Sequence, residues 1–184
     1  MKRVVLSLFV LAAAAACSQT PTSPTYTVPL TASAVSTGAP LSSTHLKGHE
    51  EVPARDTDAQ GQAIFKVSED GLTVSYKLIV ANIENVVQSH IHIGPVGVNG
   101  PIAVFLAGPF ASGGGRVDGV LAEGTFTAAN FIGPMANRPM SALIAELAAG
   151  NAYVNVHTND GVGAINTGPG DFPGGEVRGQ IRKK

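Results

Sequence analysis

The amino-acid sequence predicts an all-β fold, an antiparallel β-sandwich or Greek-key barrel with one short crossing helix. Charged residues make up only 14% of the 184 residues, 22 residues are glycines and none is tryptophan. Short apolar runs are separated by clusters of turn-forming Gly, Pro, Asn and Asp. Seven or so short strands at this spacing are typical of sandwiches and barrels.

The strand with the clearest pattern covers residues 72–80. Its apolar and polar residues alternate, which indicates a half-buried antiparallel strand after a hairpin turn at residues 69–71. The predicted buried face consists of Leu72, Val74, Tyr76, Leu78 and Val80. The first ordered segment is expected at 45–53, and the other predicted strands are 62–68, 86–93, 102–106, 117–126, 152–157 and 175–181.

Residues 141–149 depart from the β pattern and predict one short helix. The segment is rich in Ala, Leu and Glu, which favour helices. Ser141 is the expected N-cap, and Gly150 is the expected residue just beyond the C-terminus.

The N-terminus predicts export. Lys2 and Arg3 precede an uncharged run over residues 4–16, which is too short for a membrane span of about 20 residues but suits a signal peptide. The small residues before Cys17 resemble a bacterial lipobox, although Ala14 stands where such motifs usually have Leu. This resemblance implies a signal peptide over residues 1–16 and a lipid on Cys17 that holds the protein to a membrane. An ordinary secretory signal cut near Ala16 is the alternative, and it also exports the protein.

Residues 17–44 are predicted to be the lipidated cysteine and a flexible tether, since Ser, Thr and Pro dominate this segment. A short edge strand at 26–28 is the alternative. Cys17 is the only cysteine, so its lipidation leaves no thiol for a disulfide, a thiolate metal site or a cysteine nucleophile. The folded domain is expected over residues 45–182.

Several motifs in that domain resemble the CHRD domain, a repeat first described in chordin and also found in bacterial exported proteins. Their order and spacing together carry the resemblance, which covers nearly the whole predicted domain. The matching segments are residues 46–53, 61–63 followed by the strand at 72–80, 90–94, 99–102, 149–158 and 174–181. One departure is Ala54, where the family often has a second proline.

The resemblance implies an immunoglobulin-like or superoxide-dismutase-like β fold and a non-catalytic extracellular module, which in chordin is associated with binding a secreted growth factor. Kinship of fold does not transfer that ligand to this chain. The positions expected to carry the structural motif are Glu51, Pro53, Gly94, Gly100, Asn155, Glu176, Arg178 and Gly179.

Two histidines two residues apart, His90 and His92, are the strongest chemical signal in the sequence. Residues two apart on a strand share one face. His157 lies at the end of another predicted strand, on one face with Tyr153 and Asn155. If the two strands are neighbours, the three imidazoles converge into a set that suits Cu or Zn. His49, Glu50 and Asp160 are candidate further ligands or acceptors.

A structural role is the competing interpretation, in which these imidazoles bond to backbone or carboxylate groups and lock the loops at the rim of the barrel. Glu51, Glu176 and Arg178 are a candidate carboxylate–guanidinium network. An enzyme of superoxide-dismutase type is a third interpretation, although a bridged two-metal site needs more ligands than five dispersed histidines supply.

The sequence therefore predicts an exported, membrane-anchored module that binds an extracellular protein or glycan, without catalysis and without a required cofactor. The alternative function is a Cu- or Zn-binding module that uses the three histidines. The formal net charge is −1 and no part of the sequence forms a basic patch, so nucleic acid is not an expected partner.

Overall fold

The computed structural model describes residues 40–182. The predicted signal peptide, Cys17 and the tether up to residue 39, with its alternative strand at 26–28, lie outside these residues. Within 40–182, no helix has the length and apolar character needed to cross a membrane.

Eight antiparallel strands and one α-helix form the domain, which confirms the predicted all-β class. The strand order in the single sheet is β5-β4-β7-β8-β1-β2-β3-β6. The strands are β1 Pro40–Lys47, β2 Gln60–Val67, β3 Thr73–Glu84, β4 Val86–Ile93, β5 Ile102–Ala107, β6 Arg116–Thr127, β7 Ala152–Thr158 and β8 Val177–Gln180. Three short 3₁₀ turns lie at Gly48–Glu50, Ala128–Asn130 and Gly133–Met135.

The sheet curls into a barrel that is nearly closed. Its two ends, β5 and β6, approach each other, and hydrogen bonds cross the remaining gap. The Tyr76 hydroxyl of β3 donates to the carbonyl of Leu106 (2.7 Å), and the Ile132 amide donates to the carbonyl of Ala103 (2.9 Å). The edge strand β5 therefore has part of its backbone satisfied, which limits its pairing with other chains.

Alternation along the strands places the core inside the barrel. Val74, Leu78 and Val80 of β3 are buried as predicted. Leu72 is not, since it precedes the strand and is 62% exposed. Its amide donates to the Asp70 carboxylate (2.9 Å), so Leu72 belongs to the hairpin turn and not to the buried face.

The first strand begins before the predicted start of the domain at residue 45. β1 starts at Pro40, and Ser42 and Thr44 are buried opposite β2. Strand pairing uses backbone groups, so a segment rich in Ser and Thr joins a sheet when a neighbouring strand accepts it.

The predicted helix is present as α1, Met140–Ala148. It begins one residue before the predicted N-cap, because the Ala142 amide bonds to the carbonyl of Pro139, which is the N-cap. Gly150 follows the helix with φ of 68°, the left-handed conformation expected of a residue beyond a helix C-terminus.

Candidate metal centre

Strands β4 and β7 are neighbours, and their register brings His90, His92 and His157 together. His90 lies opposite Asn155 and His92 opposite Tyr153, while His157 pairs with Gln88 one step along the ladder. The ligand atoms that the three histidines offer lie within 4.8 Å of one another. The alternation that the sequence predicts places Ile91 in the core and the two flanking imidazoles on the other face.

This polar face is buried, although it lies outside the apolar core. His90 is fully buried, and His92 and His157 are only 7% and 6% exposed. Phe105 of β5 lies opposite His90, and its ring meets the imidazole edge-on with 4.4 Å between centroids. Phe105 itself is 43% exposed, so it stands between His90 and solvent.

Backbone carbonyls determine which nitrogen of each ring carries the proton. Nδ1 of His92 lies 2.9 Å from the carbonyl of Gly100, and Nδ1 of His157 lies 2.8 Å from the carbonyl of Pro173. Because a carbonyl only accepts hydrogen bonds, each of these Nδ1 atoms must be the donor. In the neutral rings of His92 and His157, Nε2 is therefore unprotonated and carries a lone pair.

The same reasoning extends to His90, whose Nδ1 lies 3.1 Å from Nε2 of His157. Since Nε2 of His157 is an acceptor, His90 donates from its Nδ1. The Nε2 atom of His90 is therefore unprotonated and carries a free lone pair. Within residues 40–182, Nε2 of His90 and Nε2 of His92 are buried without a hydrogen-bond partner. Buried acceptors without donors are destabilising, and a metal ion satisfies such lone pairs.

Burial keeps the three rings neutral. It lowers the pKa of His90 to about 3, with smaller contributions from the nearby His157 and His92. Burial also lowers the pKa of His157 to about 4, against the opposing bond to Pro173, and it lowers the pKa of His92. Neutral imidazole is the form that binds metals, so the cluster is ready to bind at neutral pH.

A buried acid–amide pair, Glu51 and Asn155, lies beside the cluster. The Asn155 side chain interacts with both the Glu51 carboxyl and the His92 ring. Burial raises the pKa of Glu51 to about 7, although the charge of Arg178 opposes this shift. Oε1 of Glu51 and Oδ1 of Asn155 are also buried without a partner among the described residues, so unsatisfied acceptors are concentrated here.

The predicted network of Glu51, Glu176 and Arg178 does not form as ion pairs in the part of the chain that the structure describes. Arg178 instead donates to the carbonyls of Pro95 (3.1 Å) and Val98 (3.0 Å). The carboxylate of Glu176 accepts from three groups of its own. These are the Thr57 hydroxyl (2.6 Å), the Thr158 hydroxyl (2.7 Å) and the Gly170 amide (3.0 Å). Both residues fasten loops to the sheet.

Three candidate ligands lie apart from the cluster. His49 and Glu50 form an exposed pair 3.7 Å apart, and the Asp160 carboxylate accepts from the amide of Val162 (2.8 Å) in a turn. Their positions in turns, outside the strand ladder, explain why the period-two pattern gave no guidance about them.

The remaining motif positions permit close approaches between segments. A side chain at Gly100 would collide with the carbonyl of Ile93, and one at Gly179 would collide with the carbonyl of His45. Gly94 accepts from the Gln180 side chain (2.9 Å), and Pro53 follows a cis peptide bond. These residues shape the loops around the centre and do not contact a ligand through a side chain.

Sequence reasoning placed Tyr153 on the same face of its strand as His157, without a role, and did not identify Phe105 as part of the site. Tyr153 stacks on His92 with 4.8 Å between ring centroids, and Phe105 shields His90. Tyr153, Asn155 and His157 are spaced two residues apart, so they share one face of a strand as His90 and His92 do. This spacing is a signal in the sequence. Phe105 has none, because its contact depends on the β4–β5 register.

The family model described as CHRD domain matches residues 42–181. No curated protein and no solved structure matches the chain.

Proposed function

The chain belongs to the CHRD domain family, and we propose that it is an exported module that binds one Cu or Zn ion through His90, His92 and His157. One observation supports this most strongly. Three buried, neutral imidazoles offer ligand atoms within 4.8 Å of one another, and Nε2 of His90 and Nε2 of His92 have no donor to satisfy them among the described residues.

The surroundings of the rings have the features of a metal site. Metal-binding histidines usually donate their other nitrogen to a carbonyl or carboxylate, as His92 and His157 do. The ligand atoms that the three rings offer lie within 4.8 Å of one another, as a shared ion requires.

The competing function is a binding or structural module in which the histidines only lock loops. The bonds from His92 to Gly100 and from His157 to Pro173 favour it, since they tie two loops to the sheet. A purely structural role leaves the buried, unpaired Nε2 atoms of His90 and His92 unexplained, so we place metal binding first. The partner of a purely structural module would be an extracellular protein or glycan.

We also propose that the module has no catalytic activity. Support comes from the burial of all three imidazoles, which leaves no ligand side chain more than 7% exposed to an incoming substrate. The family resemblance points the same way.

Metal content of the purified protein tests the function. After loading with excess Cu or Zn and gel filtration, elemental analysis should find about one ion per chain in the native protein. Replacement of both His90 and His92 by Ala should abolish this binding, whereas His49→Ala, at an exposed histidine, should retain it. Absence of metal from the native protein, or equal metal in the double variant, would support the structural module instead.

Export and anchoring are a separate part of the proposal and rest on Lys2, Arg3, the apolar run over residues 4–16 and Cys17. In a bacterial host, the native protein should fractionate with membranes and Cys17→Ser should move it to the soluble extracytoplasmic fraction. Ser18→Ala, the neighbouring control, should leave the protein with the membranes. A Cys17→Ser protein that stays in the membrane fraction contradicts a lipid anchor on this residue.

A further inference from the structure

A three-layer stack lies against the candidate metal centre. The guanidinium of Arg178 sits over the ring of Tyr153, with Cζ 3.4 Å from the ring centroid. The Tyr153 ring lies on the imidazole of His92, nearly parallel at 8° and 4.8 Å between centroids. All three side chains are buried, so only the Tyr153 ring separates a positive charge from His92, one of the proposed ligands.

The hydrogen bonds of Arg178 leave this charge without a counter-ion in direct contact. They go to neutral acceptors, and among residues 40–182 no carboxylate oxygen lies within ion-pair distance of its nitrogens. The acceptors are the carbonyls of Pro95 and Val98 and the side chains of Asn99 and Gln180. Arginine stays protonated in proteins, and buried charges are screened much less than exposed ones.

This charge acts against any cation in the centre, and its effect grows with the charge of that cation. A divalent ion is repelled about twice as strongly as a monovalent one at the same position. The three imidazoles are neutral and supply no negative charge. Glu51, the carboxyl beside the cluster, offsets only part of the repulsion, because burial raises its pKa to about 7. The centre therefore favours the lower-charged form of a metal that has two accessible oxidation states.

The number of ligands also favours Cu(I) over Zn. In the described part of the chain, the cluster contains three histidines and no Asp, Glu or Cys. Zn is almost always four-coordinate and would need a further ligand such as water. Cu(I) is satisfied by three donors without a further ligand, and imidazole nitrogens suit copper.

We propose that the centre is selective for cuprous copper and that Arg178, acting through the Tyr153 stack, sets this preference. Arg178 is a positioning and electrostatic residue here, since it does not contact the ion. The inference rests on the proposed function, because it concerns which ion the three histidines hold. It concerns an equilibrium preference, and the electron that converts Cu(II) to Cu(I) comes from the reductant added in the assay.

Competition experiments on the whole protein test the proposal. The Kd for Cu(I) would be measured without oxygen, with ascorbate and a chromogenic Cu(I) chelator. The Kd values for Cu(II) and Zn(II) would be measured with chelators specific for those ions. We expect the native protein to bind Cu(I) more tightly than either divalent ion.

Three variants separate charge from structure. Arg178→Gln removes the charge and should lower the preference for Cu(I) over Cu(II) about tenfold, which is ~59 mV for a one-electron couple. Arg178→Lys keeps the charge and should retain most of the preference. Arg116→Gln removes an equal charge from an exposed ion pair and should leave the preference unchanged.

Two results would overturn the inference: tighter binding of Zn(II) or Cu(II) than Cu(I) by the native protein, or equal shifts in the Arg178→Gln and Arg178→Lys variants. If Arg178→Gln does not fold, the comparison of the three ions on the native protein tests the selectivity, and loss of the preference in Arg178→Lys would refute the role of the charge. Stoichiometric binding of Zn(II) with weak Cu(I) binding would leave the proposed function intact and refute this inference. Binding of none of the three ions would refute both.

Discussion

Saturation with the bound metal should raise the free energy of unfolding by about 4 kcal/mol when the free metal is ~1,000 times its Kd. The gain arises because the folded protein holds three lone pairs together that the unfolded chain separates. Denaturant unfolding with and without metal measures it. His92→Ala should abolish the gain, and the exposed control His49→Ala should preserve it. An equal gain in the His92→Ala variant would show that the metal binds elsewhere.

The pH dependence of this gain distinguishes the buried centre from a surface site. Protons compete with the metal for the histidine lone pairs. Burial lowers the pKa of His90 to about 3 and that of His157 to about 4. We therefore expect the stabilisation to persist at pH 5 and to decrease as the pH falls through 4 towards 3. Its loss between pH 7 and pH 6 would contradict burial of the ligands.

The metal-free protein provides the baseline for that measurement, and its stability should fall as the pH decreases from 6.5 to 4. Histidines of the unfolded chain take up protons below an ordinary pKa of 6.5, whereas His90 and His157 stay neutral in the folded state until about pH 3 and 4. Glu51 has the opposite effect. Its pKa is raised to about 7 from 4.5, so the folded state binds that proton first and gains stability as pH falls through this window. Two histidines outweigh one carboxyl.

The change Gly179→Ala should destabilise the fold by about 3 kcal/mol or more. A Cβ at this position would collide with the carbonyl of His45 and lie 2.7 Å from the Thr44 hydroxyl. The first of these is backbone of β1, beside β8 in the sheet, so it cannot move without disturbing the strand order. Thermal or denaturant unfolding of the purified variant measures the loss.

Gly168→Ala is the matched control for this prediction. Nothing lies within 4 Å of a Cβ at Gly168, and its backbone is not in the left-handed region. Its effect should stay within about 0.5 kcal/mol. Comparable losses for the two variants would mean that the contact with His45 does not limit packing at Gly179.

The strand pattern predicted the part of the candidate site that depends on local periodicity. Alternation along β4 separates Ile91 from His90 and His92, and the same rule groups Tyr153, Asn155 and His157 on β7. The bounds of β4 agree with the prediction residue for residue. Metal binding by these histidines is a prediction that both the strand pattern and the convergence of the three rings support.

The contacts that complete the site could not be predicted from the sequence, since they join segments far apart along the chain. The carbonyls of Gly100 and Pro173 belong to loops, and no side-chain pattern indicates where a backbone oxygen points. Arg178 was expected to pair with carboxylates because its fork suits them, but nearby carbonyls and side-chain amides fill its donor positions first. Loop geometry therefore placed neutral oxygen acceptors, and not carboxylates, around the guanidinium.

The strand order has a consequence for when the centre becomes complete during synthesis. β8 lies between β1 and β7, so the sheet connects the first and last strands of the domain. Pro173, which sets the tautomer of His157, and Arg178 are among the last residues of the domain to leave the ribosome. A nascent chain that already carries all three histidines lacks these supports, so metal capture with native geometry must follow chain completion.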